Sequence, residues 1–418
     1  AGRTPPAPRG IEQLDRRQPK VTISTADAAG SVVGARELRV KIGVEDNFEG
    51  DAKTGGGAFD LRLFRNGTLV KVWRGDLLKG QRAATFDVTL PVVAGENNLL
   101  AYAFNRDNIK SLDASLSVRG ADSVRRRGTA RVLAVGVNAY SNAGFNLRYA
   151  GADAEDFAAE TRRQLERLGV YASVEVTSLS DDGATKDAIM RALAQLASVS
   201  QPEDRVIVYF AGHGVAHSGQ FYLLPHDIGY TGSRDDLDEA GLQTIIAHGI
   251  SDRDLEEAFE KIDGASFLLV IDACNSGQAL EAEEKRRGPM NSKGLAQLAY
   301  EKGMYVLTAA QSFQAAQEAR QLGHGLLTYA LVEEGLKQSL ADYAPKDGEV
   351  RVREWLDYAT ERVPSMQLDE MRRALARGIN LSFSDDERTL ELKSRVGQRP
   401  RVFYRRELEA QPLVVARR

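Results

Sequence analysis

Two hydrophobic patterns divide this chain. Between residues 21 and 118, segments such as VTIST and ELRVKIGVED alternate apolar and polar residues, a pattern typical of half-buried β-strands. Asn66-Gly67 separates two such runs, and this dipeptide favours the tight turn of a β-hairpin. About seven short strands within roughly 100 residues are typical of an immunoglobulin-like sandwich. We therefore predict an all-β immunoglobulin-like sandwich for residues 20–118.

The pattern changes after residue 130. Unbroken apolar runs alternate with segments of helical periodicity; the runs are 131–137, 205–212, 266–273 and 304–310. Strands of this kind, separated by helices, are typical of a parallel sheet covered on both faces. The second pattern therefore predicts an α/β domain with a mostly parallel sheet flanked by helices.

The predicted organisation has five parts. They are an extended leader, the β-sandwich, a basic linker, the α/β domain, and a C-terminal helix and strand extension that packs on the domains. Their bounds are residues 1–19, 20–118, 119–130, 131–345 and 346–418. The chain begins with Ala and shows no apolar signal-peptide segment, which leaves a mature form and a fragment of a longer protein both open.

Composition excludes several classes of protein. The chain has 418 residues with 55 basic and 59 acidic side chains, a net charge of −4, so no global field attracts nucleic acid or a membrane surface. No apolar run approaches the roughly 18 residues that span a bilayer, and we expect a soluble protein. A single cysteine, Cys274, excludes an intrachain disulfide framework and a cysteine-rich zinc site.

The candidate chemistry lies in two short segments. His213 lies between Gly212 and Gly214 at the end of an apolar strand, and Cys274 follows the next long apolar strand. Active sites in open parallel sheets form beyond the carboxyl ends of strands, where an imidazole can take the proton of a thiol nucleophile. The main-chain N–H groups of Gly214 and Cys274 are then candidate oxyanion donors. Taken singly, a lone Cys or His is more often structural; together they favour catalysis.

These segments resemble those of the caspase-like cysteine peptidases of clan CD, and specifically the bacterial metacaspase-like proteins, or orthocaspases. YFAGHG resembles the family's His motif, and residues 272–277, DACNSG, fit its Asp-x-Cys-x-Ser-Gly motif. RVLAVGVNAY and LRYAGADAEDF resemble the start of the family's domain, so the likeness covers residues 130–340. It implies a cysteine endopeptidase with His213 and Cys274 as its catalytic pair, and it favours the bacterial cytoplasm over export.

The resemblance also implies a substrate preference. Asp272 and Asp153 match the two acids that line the S1 pocket of metacaspases, and two enclosed carboxylates are best compensated by a cation. We therefore expect polypeptide substrates with Arg or Lys at P1. Arg148 is the alternative, as a receptor for an acidic P1 residue. Asp153 as an N-terminal helix charge and Asp272 as a strand-end cap also stay open.

Regulation is less closely determined. The basic run Lys285, Arg286 and Arg287 lies where the family's large and small subunit portions join, so self-cleavage there is a hypothesis, and Arg125-Arg126-Arg127 offers a second site. No cofactor is needed for the chemistry and no metal site is predicted. Calcium as an activator stays open, with an acidic segment as its candidate site: Asp235, Asp236, Asp238 and Glu239.

Three other readings of the chain compete or stay open. The rival function is an inactive or regulatory caspase-fold scaffold that acts as a protein-binding module. A nucleotide-binding fold is disfavoured because the glycine fingerprint is missing. The sequence leaves monomer or dimer undecided, and the β domain is expected to bind a partner or connect to upstream domains.

Overall fold

The structure is a computed structural model. It describes residues 14–26, 32–48, 55–275, 293–311, 323–376, 400–404 and 413–418. The chain divides into two compact units, residues 1–126 and 127–418. Most of the predicted leader, residues 1–13, lies outside the described residues.

In the described residues of the first unit, eight strands form two sheets. The strands are β1 (Lys20–Thr25), β2 (Val32–Val33), β3 (Glu37–Glu45), β4 (Phe59–Arg65), β5 (Thr68–Asp76), β6 (Ala83–Pro91), β7 (Gly95–Phe104) and β8 (Ala114–Gly120). One sheet has the order β1-β3-β6 and the other β2-β8-β7-β4-β5. All pairs are antiparallel except the short β2–β8 pair. The predicted all-β region is confirmed, and its immunoglobulin-like topology stays a prediction.

Alternation explains how these strands form a core. In β3 every second residue is buried, from Leu38 to Val44, and β4 buries Leu61 and Leu63 in the same apolar cluster. The predicted hairpin connects β4 to β5, and Asn66 and Gly67 have φ of 50° and 80°. Those positive values are what a two-residue hairpin turn requires, and glycine adopts them without steric cost.

The second unit contains a mixed sheet. Its strands are β9 (Ala130–Gly136), β10 (Val174–Ser180), β11 (Arg205–His217), β12 (Gln220–Leu224), β13 (Ile250–Ser251), β14 (Ser266–Asn275), β15 (Met304–Gln311), β16 (Glu349–Arg351), β17 (Arg401–Phe403) and β18 (Val414–Arg417). The main sheet has the order β10-β9-β11-β14-β15-β17, and its first five strands are parallel. Because β9, β11 and β14 are parallel neighbours, their carboxyl ends share one edge of the sheet, which is where an active site is expected.

Helices cover this sheet. They are α1 (Ala150–Leu168), α2 (Lys186–Val199), α3 (Glu239–His248), α4 (Asp252–Lys261), α5 (Lys293–Lys302), α6 (Leu326–Thr328), which continues as a π-helix (Tyr329–Lys337), and α7 (Val352–Ala376). Local signals set several of their ends: Thr185 caps α2, Ser251 and Asp254 form a capping box on α4, and Gly169 ends α1 with φ of 65°. Side chains that accept the first free N–H groups, and glycine in a left-handed conformation, are the expected helix ends.

The C-terminal extension returns to the second unit. β17 pairs antiparallel with β15, so it covers that edge of the main sheet, while β18 pairs with β16. An edge strand that is paired no longer presents free backbone groups to another chain.

Candidate active site

The backbone brings the two candidate catalytic residues to adjacent positions. β11 and β14 pair in parallel, and in their register His213 lies opposite Cys274. Neighbouring strands are about 4.8 Å apart, so the two backbones are about one strand spacing apart at these residues. For Cys274 the structure describes the backbone and not the side chain. In the backbone, Cys274 lies one residue before the end of β14, whereas His213 lies four residues before the end of β11.

β11 is longer than the apolar run 205–212 predicts, so His213 lies within the strand and not beyond its end. β11 continues to His217, and it turns back into β12 through Ser218 and Gly219, which have φ of 50° and 81°. The pairing of β11 with β9 stops at Ala211, and β12 then pairs with β11 from His213 onward. The Ser-Gly turn therefore lies five residues beyond His213, and the intervening residues are held as a hairpin.

The imidazole of His213 is completely buried and has one fixed hydrogen bond. Its Nε2 lies 2.8 Å from the main-chain carbonyl oxygen of Phe145, and Nδ1 is buried without a hydrogen-bond partner among the described residues. Because a carbonyl oxygen only accepts, Nε2 carries the hydrogen, which leaves the lone pair of the neutral ring on Nδ1. Burial, with a smaller effect of the Arg234 charge, lowers the pKa of His213 to about 4. The ring is therefore a neutral base at pH 7.

Two aromatic residues of the segment between β9 and α1 hold this ring. The phenol oxygen of Tyr140 accepts the His213 main-chain N–H at 2.8 Å, and its ring centroid lies 5.1 Å from the imidazole. The ring of Phe145 lies edge-on to the same imidazole, with 6.3 Å between the ring centroids. Phe145 ends a single 3₁₀ turn, Ala143–Phe145, that is capped by Asn142. Sequence reasoning missed both aromatic residues.

Gly214 follows the histidine inside β11, opposite Leu223 on one side and Asn275 on the other. A Cβ added here would lie 2.5 Å from the ring of Phe221, so close packing of that ring requires glycine. The proposed oxyanion donors, the N–H groups of Gly214 and Cys274, stay a prediction.

Asp153 is in the first turn of α1 and is only 4% exposed. Its carboxylate accepts the main-chain N–H of Gly325, at 3.1 Å from each oxygen, and the His324 Nδ1–H at 3.0 Å. Burial raises the pKa of Asp153, and the bonds from His324 and Gly325 act in the opposite direction. Asp153 therefore does more than place a charge at a helix terminus, since it connects α1 to the residues that precede α6.

Asp272 lies two residues before Cys274 in β14 and is 5% exposed. Its Oδ2 accepts the Thr328 hydroxyl at 3.2 Å, and the same hydroxyl lies 2.5 Å from the phenol oxygen of Tyr209. Burial, together with the negative charges of Asp272 and Asp153, raises the pKa of Tyr209 well above its ordinary value. The two predicted pocket acids thus both contact the segment 324–328, Asp153 through His324 and Gly325 and Asp272 through Thr328.

Sequence reasoning also missed His324. Its Nδ1 contacts Asp153 and its Nε2 lies 3.1 Å from Oδ2 of Asp156, so the imidazole lies between two carboxylates of α1. Hydrogen bonding to Asp153 raises the pKa of His324. Arg148, the alternative receptor for an acidic P1 residue, is exposed.

The remaining predicted sites are distributed elsewhere. Lys285, Arg286 and Arg287 lie outside the described residues. In the acidic segment, Asp238 caps α3 by accepting the Gly241 N–H at 2.8 Å, and Glu239 accepts the side-chain amide of Gln243. In the part of the chain that the structure describes, we find no helix long and apolar enough to cross a membrane.

Comparison with known families gives a match within the second unit. The family model of the caspase domain, peptidase C14, matches residues 129–377, more than half of the chain. A search of curated proteins gives no match. Among solved structures, protein GSU0716 of Geobacter sulfurreducens is similar at 16% sequence identity with a TM-score of 0.36. The match covers 66% of this chain and 92% of that chain. The fibronectin(III)-like modules of Clostridium thermocellum CbhA are similar at 14% sequence identity with a TM-score of 0.18. That match covers 26% of this chain and 48% of that chain. Both structural similarities are too low to assign a fold.

Proposed function

The chain belongs to the caspase domain family of peptidases, C14, and from this premise we propose that it is a cysteine endopeptidase that cleaves polypeptides after Arg or Lys. The observation that carries the proposal is the state of His213. Its ring is buried, neutral and fixed through Nε2, its Nδ1 has no partner among the described residues, and it is paired in register with Cys274.

In the proposed mechanism His213 acts first as a base. Nδ1 takes the Cys274 proton, and the thiolate sulfur attacks the scissile carbonyl carbon. The resulting oxyanion is stabilised by main-chain N–H groups, for which Gly214 and Cys274 are the candidates. As the tetrahedral intermediate collapses, the imidazolium donates its proton to the leaving amine and an acyl-enzyme remains. Water, activated by the same Nδ1, then attacks the thioester and releases the acid and the thiol.

The Phe145 carbonyl has a positioning role in this mechanism. It holds Nε2–H, so the tautomer with a basic Nδ1 is favoured, and it stabilises the imidazolium when Nδ1 gains a proton. Burial opposes that positive charge, and the thiolate formed beside it supplies the compensating negative charge.

The proposed P1 preference rests on Asp153 and Asp272. Both carboxylates are almost completely buried; Asp153 accepts hydrogen bonds from Gly325 and His324, and Asp272 accepts one from Thr328. Enclosed negative charge is costly unless a cation approaches it, so a basic P1 side chain gains more here than an acidic one. Self-cleavage at Lys285, Arg286 or Arg287 follows from the same preference. Calcium activation is retained as a hypothesis without an assigned site.

The proposal is tested by hydrolysis of fluorogenic peptides that differ only at P1, with Arg, Lys and Asp compared in the presence and absence of calcium. We expect turnover of the Arg and Lys peptides, its loss in Cys274→Ala, and its loss after alkylation of this single thiol. Asp272→Asn should reduce kcat/KM for basic peptides while circular dichroism stays unchanged.

The other outcomes separate the alternatives. Cleavage after Asp would keep the peptidase and refute the acidic pocket, whereas activity in Cys274→Ala would refute the nucleophile. An enzyme that is silent on every peptide, with and without calcium, would favour the protein-binding scaffold instead.

A further inference from the structure

A second group of side chains lies next to the proposed pocket and outside the catalytic pair. Asp156 of α1, His324, and Glu333 of the π-helix each offer one ligand atom, and these three atoms lie within 4.8 Å of one another. Their side chains are 39%, 15% and 26% exposed, so an ion can reach them from solvent. They are separated widely in sequence, and the packing of α1 against the π-helix brings them together.

We propose that Asp156, His324 and Glu333 form a binding site for a divalent transition-metal ion of the zinc type. An imidazole nitrogen with two carboxylate oxygens is a ligand set that suits zinc, whereas calcium and magnesium favour oxygen ligands alone. Three protein ligands leave one position of a tetrahedral ion for water.

The orientation of His324 supports this assignment independently of the ligand distances. Its Nδ1–H donates to the buried carboxylate of Asp153 at 3.0 Å, which directs Nε2 toward Asp156 at 3.1 Å. Metal-binding histidines commonly donate their second ring N–H to a carboxylate, which fixes the tautomer and increases the basicity of the ligating nitrogen. Asp153 is therefore a positioning residue for the ion.

Two features of the site decide what binding requires. Ligands of a tetrahedral zinc ion are about 3.4 Å apart, so Glu333 would move by about 1 Å from its present position. Glu333 also pairs with Lys337 one turn along, and the ion would replace that ammonium group. Because Lys337 is partly exposed, its release into solvent is inexpensive.

Binding has a consequence for catalysis, and this part rests on the proposed function. Asp153 is both the partner of His324 and a proposed S1 acid, so an ion on Nε2 places positive charge next to the pocket. A basic P1 side chain then meets a carboxylate whose charge is already compensated. We expect zinc to raise KM for Arg peptides.

Zinc binding is measured first in Cys274→Ala, because the thiol and His213 of the catalytic pair form a competing zinc site. Titration of this protein with zinc chloride by calorimetry should show one site, and Asp156→Asn and Glu333→Gln should each weaken it by roughly 100-fold. Glu155→Gln, on the same helix and exposed, is the matched control and should bind zinc normally. Circular dichroism verifies that each variant is folded.

The outcomes separate the site from its effect on catalysis. Equal zinc affinity in all three variants, no zinc binding in Cys274→Ala, or preference for calcium chloride would overturn the site. In the protein with Cys274 intact, Glu333→Gln should lose part of the zinc-induced increase in KM. If binding follows the ligands but the increase in KM does not, the metal site stands and the coupling through Asp153 is refuted.

Discussion

The burial of an uncharged His213 makes the stability of the second unit depend on pH. The pKa of His213 is about 4 in the folded protein, against an ordinary value of 6.5. The folded state therefore binds fewer protons than the unfolded state between these values, and stability falls as the pH decreases from 6.5 toward 4. The full shift corresponds to about 3 kcal/mol of unfolding free energy, of which about 2 kcal/mol is lost by pH 5.

The assay compares urea unfolding at pH 7.5 and pH 5 in Cys274→Ala, which removes the thiol equilibrium, with and without His213→Gln. The Gln amide can still donate to the Phe145 carbonyl but does not titrate. Replacing Trp73 with Phe leaves Trp355, which is fully buried in the second unit, as the only tryptophan reporter. Acidification should destabilise the parent by about 2 kcal/mol more than the His213→Gln variant.

His248 supplies the matched control, since it is an exposed histidine of the same unit. The pH dependence of His213→Gln is compared with that of His248→Gln, which removes a histidine that is not buried. If His213→Gln and its parent lose stability in parallel between pH 7.5 and pH 5, His213 is not a buried neutral base and the assignment of its tautomer fails with it.

Two further substitutions test the polar groups around the sheet. Thr328→Val removes the hydroxyl that donates to Asp272 and contacts Tyr209, so kcat/KM for Arg peptides should fall about tenfold. Thr360→Val in α7 is the control. If kcat/KM is unchanged in Thr328→Val, as it should be in this control, Thr328 is not part of the pocket. Asp204 is fully buried and accepts the Arg131 guanidinium at 3.0 Å, so Asp204→Ala should reduce the free energy of unfolding by about 3–5 kcal/mol in urea titrations. A loss below 1 kcal/mol would show that water replaces the pair.

Local patterns explain why most elements could be predicted from sequence. The alternation in β3, the Asn66-Gly67 turn and the unbroken apolar run of β11 each depend on residues adjacent along the chain. The extension of β11 beyond His213 depends on pairing with β12, and that pairing is set by the Ser218-Gly219 turn. The two glycines beside His213 lie within this strand, and a Cβ added at Gly214 would lie 2.5 Å from the ring of Phe221.

The partners of the site residues were harder to predict, for two different reasons. Phe145 acts on His213 through its carbonyl oxygen, a group that every residue possesses, so residue type carries no signal for it. His324 meets Asp153 across 171 residues, and only the packing of α1 beside α6 brings them together. A signal existed in Asp153 and Asp156, which are three residues apart and therefore on one face of α1.

The site combines two environments that favour different chemistry. His213 is surrounded by Tyr140 and Phe145, where burial keeps the base neutral. Asp272 lies on the strand of Cys274 and two residues before it, so the two Cα atoms are about 6.6 Å apart. A long side chain, such as that of arginine, spans such a distance, whereas aspartate is too short. Under the proposed specificity, length and charge favour the same P1 residue. An Asp272→Glu variant, whose acid is longer by one methylene, should therefore shift preference from Arg to Lys peptides in the same hydrolysis assay; an unchanged Arg-to-Lys ratio would contradict this account of the pocket.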